Sequence, residues 1–223
     1  IPPPSITSLA HRHGVKVIGT LRFEGKHGKY HLETLFANKQ AIHKTVDQLL
    51  HILETWEFDG WLVDVEVDIP ASIPSVAYFV DILTRRTRCI TNYTIWWYDG
   101  VDGINGKKRL LNVLDNRSKR VYEVCDGIVT NHKFKPDEMK TKGKQAMRGR
   151  SGTVCVGIDV YGRKSNPNVV GWNAHEHVQE AISNKCSAAL FAPSWAVEAQ
   201  ENIGADPQEN SHRFWTSLSP VMN

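Results

Sequence analysis

The sequence predicts an α/β fold on a parallel sheet, read as a (β/α)8 TIM-type barrel of which six strands are visible. Three observations predict it. Short, near-continuously apolar runs recur along the 223 residues, as parallel strands covered on both sides require. Amphipathic stretches fill the gaps, and that alternation marks a parallel sheet. Polar and aromatic residues gather at the C-terminal ends of the strands: Glu24, Asp64, Glu66, Tyr98, Asp99, Asn131, Asp159, Arg163 and Trp195. Barrels and doubly wound sheets both place their chemistry there. No GxGxxG or P-loop follows a strand, which argues against a nucleotide fold and for the barrel.

The elements follow in order. Residues 15–20 form the first apolar strand. A helix over 38–56 sets Ile42, Val46, Leu49, Leu50, Leu53 and Trp56 on one stripe. Residues 60–66 form the second strand, 74–85 a helix, 90–97 the third strand and 107–121 another helix. Residues 127–131 are the fourth strand, 136–147 a weaker helix, and the Gly/Lys-rich 141–152 a long loop. The strand 154–160, the helix 174–184, the strand 188–192 and a last helix over 207–218 complete the rhythm. Neither linker nor repeat interrupts it, so residues 1–223 read as one partial barrel domain.

Composition narrows the function classes. Hydrophobic residues are 41% and charged residues 23%, as in an ordinary globular protein. A net charge of +3 is too mild for a nucleic-acid partner. The cluster Lys140, Lys142, Lys144, Arg148 and Arg150 lacks interleaved aromatics and reads as a solvated face. No apolar run approaches the roughly 18 residues a membrane crossing needs. Cys89, Cys125, Cys155 and Cys186 form no CxxC pair, so neither a zinc site nor a disulfide framework is expected, and a reducing compartment fits. His175-Glu176-His177 lacks HExxH spacing, His11 and His13 read as surface residues, and no metal is expected. Asn92-Tyr93-Thr94 and Asn116-Arg117-Ser118 read as chance sequons.

The second strand carries the chemistry. In Phe58-Asp59-Gly60-Trp61-Leu62-Val63-Asp64-Val65-Glu66, two acids stand at i and i+2, and such residues share one face of a strand. A strand end that merely reaches water would also tolerate acids. Paired acids at a buried strand end are also what glycoside hydrolysis requires, a proton donor beside a charge stabiliser.

Six segments together resemble glycoside hydrolase family 85, the endo-β-N-acetylglucosaminidases of N-glycans. Ile1-Pro2-Pro3-Pro4 with the run from Ala10 to Thr20 resembles the family's "IPPP…AHRHGVKVLGT". Phe58 to Glu66 resembles "FDGWLINIE", and Trp97-Tyr98-Asp99 resembles "WYDS". The run from Asp126 to Asn131 resembles "DGIFTN", that from Val156 to Arg163 "VGIDVFGR", and that from Phe191 to Trp195 "FAPGW". In the family two strands precede the IPPP segment, so these six would be the third to eighth, and the expectation is that the native protein extends before Ile1 or that this stretch is poorly stable alone. The departures are specific. Asp64 stands where the family usually has Asn. The family's "GTFI.EW" reads Gly19-Thr20-Leu21-Arg22-Phe23-Glu24-Gly25. The "TNYxW" region reads Thr130-Asn131-His132-Lys133-Phe134, and "GWTYE" reads Ser194-Trp195-Ala196-Val197-Glu198.

The resemblance implies substrate-assisted retaining hydrolysis without a cofactor, in the cytoplasm, of N-glycans or free oligosaccharides. Glu66 would be the general acid and then the base. Asp64 would orient the 2-acetamido group and stabilise the oxazolinium, and Tyr98 would donate its hydroxyl. Trp97, Phe134 and Trp195 would stack on sugar rings, and Glu24, Asp99, Asn131 and Asp159 would bind substrate. Two rivals stand beside this reading. One is a family 18, chitinase-like hydrolase, whose "DGxDxDxE" spacing this strand shares except at Leu62. The other is a carbohydrate-binding barrel with impaired catalysis.

Overall fold

The computed structural model describes residues 1–69, 71–90, 93–110, 112–132, 149–162, 171–199 and 206–222. Its strands are β1 (Gly19–Glu24), β2 (Gly60–Glu66), β3 (Thr94–Tyr98), β4 (Gly127–Val129), β5 (Val154–Asp159) and β6 (Ser187–Phe191). They lie in one sheet in chain order, and β1–β2, β2–β3 and β5–β6 pair in parallel. The helices are α1 (Pro4–Arg12), α2 (Gly25–Leu35), α3 (Lys39–Trp56), α4 (Ile73–Ile90), α5 (Asn116–Tyr122), α6 (Ala174–Ser183), α7 (Trp195–Glu198) and α8 (Pro207–Met222). The six expected strands are present, and β2 has the expected bounds.

Three expectations are corrected. The first strand starts at Gly19, not at residue 15, because Val15 is exposed and Val17 is held outside the ladder by Asp59. A Cβ at Gly19 would press on the rings of Phe58 and Trp61 at 2.9 and 2.8 Å, so the strand enters where a side chain is missing. The third strand starts at Thr94 because α4 continues to Ile90. The helix expected over 107–121 shrinks to α5, whose N-cap Asp115 accepts from Arg117 N–H at 2.8 Å. Before it, Asp102 accepts from Ile104 N–H at 2.9 Å, and Val101 pairs antiparallel with Lys108. Helices α1, α2 and α7 were not expected; α1 uses a proline in its first turn, where the missing N–H costs nothing. The expected helix 136–147 lies outside the described residues.

The chain divides into two units, Ile1–Ile128 and Val129–Asn223. In the first, alternation sorts the strands into two faces. Phe23, Trp61, Val63, Val65, Ile95 and Trp97 are buried on the face that meets the helices. Phe36 stacks on Phe79 at 4.4 Å and meets Phe23 edge-on at 5.7 Å, tying α2, β1 and α4 into one core. Two Asp-Gly pairs begin strands here. Asp59 N–H donates to Val17 O at 2.7 Å while its Oδ2 accepts from Val17 N–H at 2.7 Å and contacts His11. Asp126 repeats the clamp on Ile95, at 2.8 and 2.7 Å, and Arg88 grips its Oδ1.

In the second unit, Ile158 and Val160 pack with Ala174, Val178, Ala196, Phe214 and Leu218 from α6, α7 and α8. Trp172 and Trp195 meet edge-on at 5.4 Å, with Arg213 at 4.4 Å over the Trp172 ring. Tyr161 donates its hydroxyl to Glu198. Among the described residues no helix is long and apolar enough to cross a membrane, and no His/Cys/Asp/Glu group is arranged to hold a metal ion. None of the four cysteines is joined in a disulfide.

Candidate active site

The β1–β2 register sets Arg22 opposite Asp64 and Glu24 opposite Glu66, and the β2–β3 register sets Asp64 opposite Tyr98. Partners in parallel register share a face, so these five side chains form one polar group at the C-terminal ends of three strands. Arg22 binds it together. Its Nη2 lies 2.8 Å from Glu24 Oε2 and 3.7 Å from Glu66 Oε1, and its Nε lies 3.4 Å from Asp64 Oδ2. Lys108 Nζ approaches the other Glu66 oxygen at 3.1 Å. Gly100 leaves room for Glu66: a Cβ there would stand 2.5 Å from Val65 O and 3.3 Å from Glu66 Cγ.

The electrostatics follow from burial. Asp64 is 9% exposed, and its Oδ1 is buried without a hydrogen-bond partner among the described residues. Burial, then the charge of Glu66, push the Asp64 carboxyl up to about 6, against the opposing pull of Arg22 and Lys108. Burial and the same carboxylates push Tyr98 up to about 12, so its phenol keeps its proton through the whole physiological range. A protonated phenol, a half-buried carboxylate and a buried acceptor within one group can donate a proton, take one back and neutralise a cation.

Asp64, Glu66, Tyr98 and Glu24 therefore come together on one face. Trp97 does not join them. Alternation along β3 turns it to the helix side, where it is 1% exposed, so it is a core residue and not a sugar platform. Asp99 is also corrected. It is fully buried and accepts from Ser118 Oγ at 2.6 Å, out of reach of a sugar. Burial raises its carboxyl to about 8. Asn131, Asp159 and Trp195 lie in the second unit. Asn131 and Asp159 are buried, Asp159 accepting from Tyr161 N–H at 3.2 Å, and Trp195 is half-buried against Trp172. Phe134 and Arg163 lie outside the described residues. The sequence reading missed Arg22 and Lys108. The i, i+2 relation of Arg22 to Glu24 was the available signal for the first; Lys108 had none, since it arrives on an irregular turn.

The fold has solved counterparts. A chitinase from Chromobacterium violaceum superposes with a TM-score of 0.67 at 10% identity, over 100% of this chain and 84% of that one. An endo-β-N-acetylglucosaminidase from Cordyceps militaris gives 0.64 at 12% identity, over 95% and 72%. These likenesses define the class: a parallel α/β sheet of the kind found in barrel glycoside hydrolases. Sequence specifies the family. The model of glycosyl hydrolase family 85 matches residues 1–222, and the chain belongs to that family. A cytosolic endo-beta-N-acetylglucosaminidase 1 of Arabidopsis thaliana is 34% identical over 90% of this chain. A cytosolic endo-beta-N-acetylglucosaminidase of Mus musculus is 32% identical over 98% of it. The chain spans 29% of the length of each of these two relatives.

Proposed function

We propose that this protein is an endo-β-N-acetylglucosaminidase that hydrolyses the β-1,4 bond between the two core N-acetylglucosamine residues of N-glycans, and that it works in the cytosol. The observation that carries the reading is Asp64 Oδ1, a buried acceptor without a partner among the described residues, on the same face as Glu66 and Tyr98. A buried acceptor left open costs about 1–3 kcal/mol, a cost that a ligand N–H removes.

Substrate-assisted retention uses each group once or twice. Glu66 gives its proton to the glycosidic oxygen as that bond breaks. The substrate's own acetamido oxygen attacks C1, and the positive charge moves onto the oxazolinium ring. Asp64, ionised above about pH 6, accepts the acetamido N–H and neutralises that charge. The Tyr98 hydroxyl donates to the acetamido oxygen. Glu66, now the base, removes a proton from water as water attacks C1 and the ring bond from C1 to the acetamido oxygen breaks, which restores the acetamido group and retains the configuration.

The test is a timed digestion of a labelled high-mannose Asn-glycan by the protein and by its Glu66→Gln variant. Release of a glycan ending in one N-acetylglucosamine, abolished in the variant, is the expected result. Glycan binding without release by either protein would overturn the proposal in favour of a carbohydrate-binding barrel.

A further inference from the structure

We infer that Arg22 is a positioning residue, which holds Asp64 by Oδ2 alone and so leaves Oδ1 as the acceptor for the substrate's acetamido N–H. The inference rests on the function proposed above and deepens it. Three observations carry it. Arg22 stands directly opposite Asp64 in the β1–β2 ladder. Its Nε faces Oδ2 at 3.4 Å, whereas Oδ1 is buried with no hydrogen-bond partner among the described residues. Its Nη2 is anchored on Glu24 at 2.8 Å; a guanidinium is a rigid planar fork, so fixing one nitrogen orients the others.

A cation is needed here because the residue is an acid. An asparagine at position 64 would show two different atoms, one donor and one acceptor, and its amide would be oriented by ordinary hydrogen bonds. A carboxylate has two equal oxygens, and one must be occupied for the other to be defined. Arg22 and Asp64, two of the strand positions at which this chain departs from the family pattern, are also cross-strand partners.

The charged and titratable groups facing Asp64 are Arg22 and Glu24 from β1, Glu66 from its own strand, Tyr98 from β3 and Lys108 from the turn after β3. The Arg22 side chain is 55% exposed, and an ion pair so wet adds little to stability. Its loss is therefore read in the site and not in folding.

The experiment is a double-mutant cycle with Arg22→Leu, Asp64→Asn and the double variant, plus Arg22→Lys. The first readout is the carboxyl carbon-13 titration of Asp64, assigned by its disappearance in Asp64→Asn. Arg22→Leu moves that titration to higher pH by roughly half a unit or more, and Arg22→Lys returns part of the shift. The second readout is glycan turnover at neutral pH. Arg22→Leu lowers it about tenfold or more when residue 64 is Asp, and less than about twofold when it is Asn. An unmoved titration, or equal losses in both backgrounds, overturns the inference. Absence of turnover in every variant refutes the proposed function, while the titration still decides whether Arg22 holds Asp64.

Discussion

Asp64→Asn should stabilise the protein at neutral pH and leave it unchanged in acid. Burial and Glu66 lift the Asp64 carboxyl from 3.8 to about 6, so the folded state resists its ionisation. For a carboxyl raised in this way, the favourable contribution is complete below about pH 4. It is lost as the pH climbs through about 6, since the unfolded chain ionises first. Two units at about 1.4 kcal/mol each amount to about 3 kcal/mol. Asparagine has the same shape and carries no charge, so it escapes this loss. Urea unfolding of both proteins at pH 4 and pH 7.5 measures it. The difference between them should be near zero at the lower pH and approach about 3 kcal/mol at the higher. Asp99 also titrates, but it does so in both proteins and cancels in the difference. A stabilisation equal at both pH values, or a wild type that is the more stable at pH 7.5, would refute the account of Asp64.

Other perturbations test neighbouring parts of the site and its frame. Gly100→Ala places a Cβ 2.5 Å from Val65 O and beside Glu66; overpacking of about 1–3 kcal/mol should appear in thermal melts together with a fall in glycan turnover. Ser118→Ala removes the donor that draws the Asp99 carboxyl down, so a carbon-13 titration should find Asp99 titrating above about 8. Asp126→Ala strips Ile95 N–H and Arg88 of their acceptor, and a loss of about 1–3 kcal/mol should show in the urea midpoint.

Much of the site was legible because a strand's period of two is rigid. Once β2 was placed, Asp64 and Glu66 had to share a face, and they do. The same rule, applied to β3, turns Trp97 away from the face that Tyr98 occupies. An aromatic at a strand end is thus a sugar platform only when its parity matches the acids. Arg22 was hidden by register. A first strand ending at residue 20 leaves Arg22 beyond the sheet, and only the pairing of Gly19 with Trp61 brings it opposite Asp64. Lys108 reaches Glu66 from the turn closed by Val101. Such a contact depends on a long-range fold of the backbone and leaves no periodic trace.

Register also explains why acids at the far end of the strands matter to the candidate site. Slipping one strand by one residue sends its whole inward set to the opposite face, which would part Arg22 from Asp64 or Asp64 from Tyr98. The Asp59 and Asp126 clamps oppose that slip. Each aspartate binds both backbone groups of one residue on the neighbouring segment, through its own N–H and through its carboxylate. A slipped pairing would leave both of those groups unpaired. Each is followed by a glycine where a side chain would collide, with the Thr94 backbone at Gly60 and with the Trp96 ring at Gly127, so the strands also meet at a fixed height. Asp59 O then accepts from Thr94 N–H at 2.9 Å, carrying the alignment of β2 into β3. The clamps lie at the N-terminal end of the sheet and the candidate site at its C-terminal end, five residues on from Asp59 to Asp64 along β2. The geometry of the candidate acids is in this way set by two acids at the opposite end of the sheet.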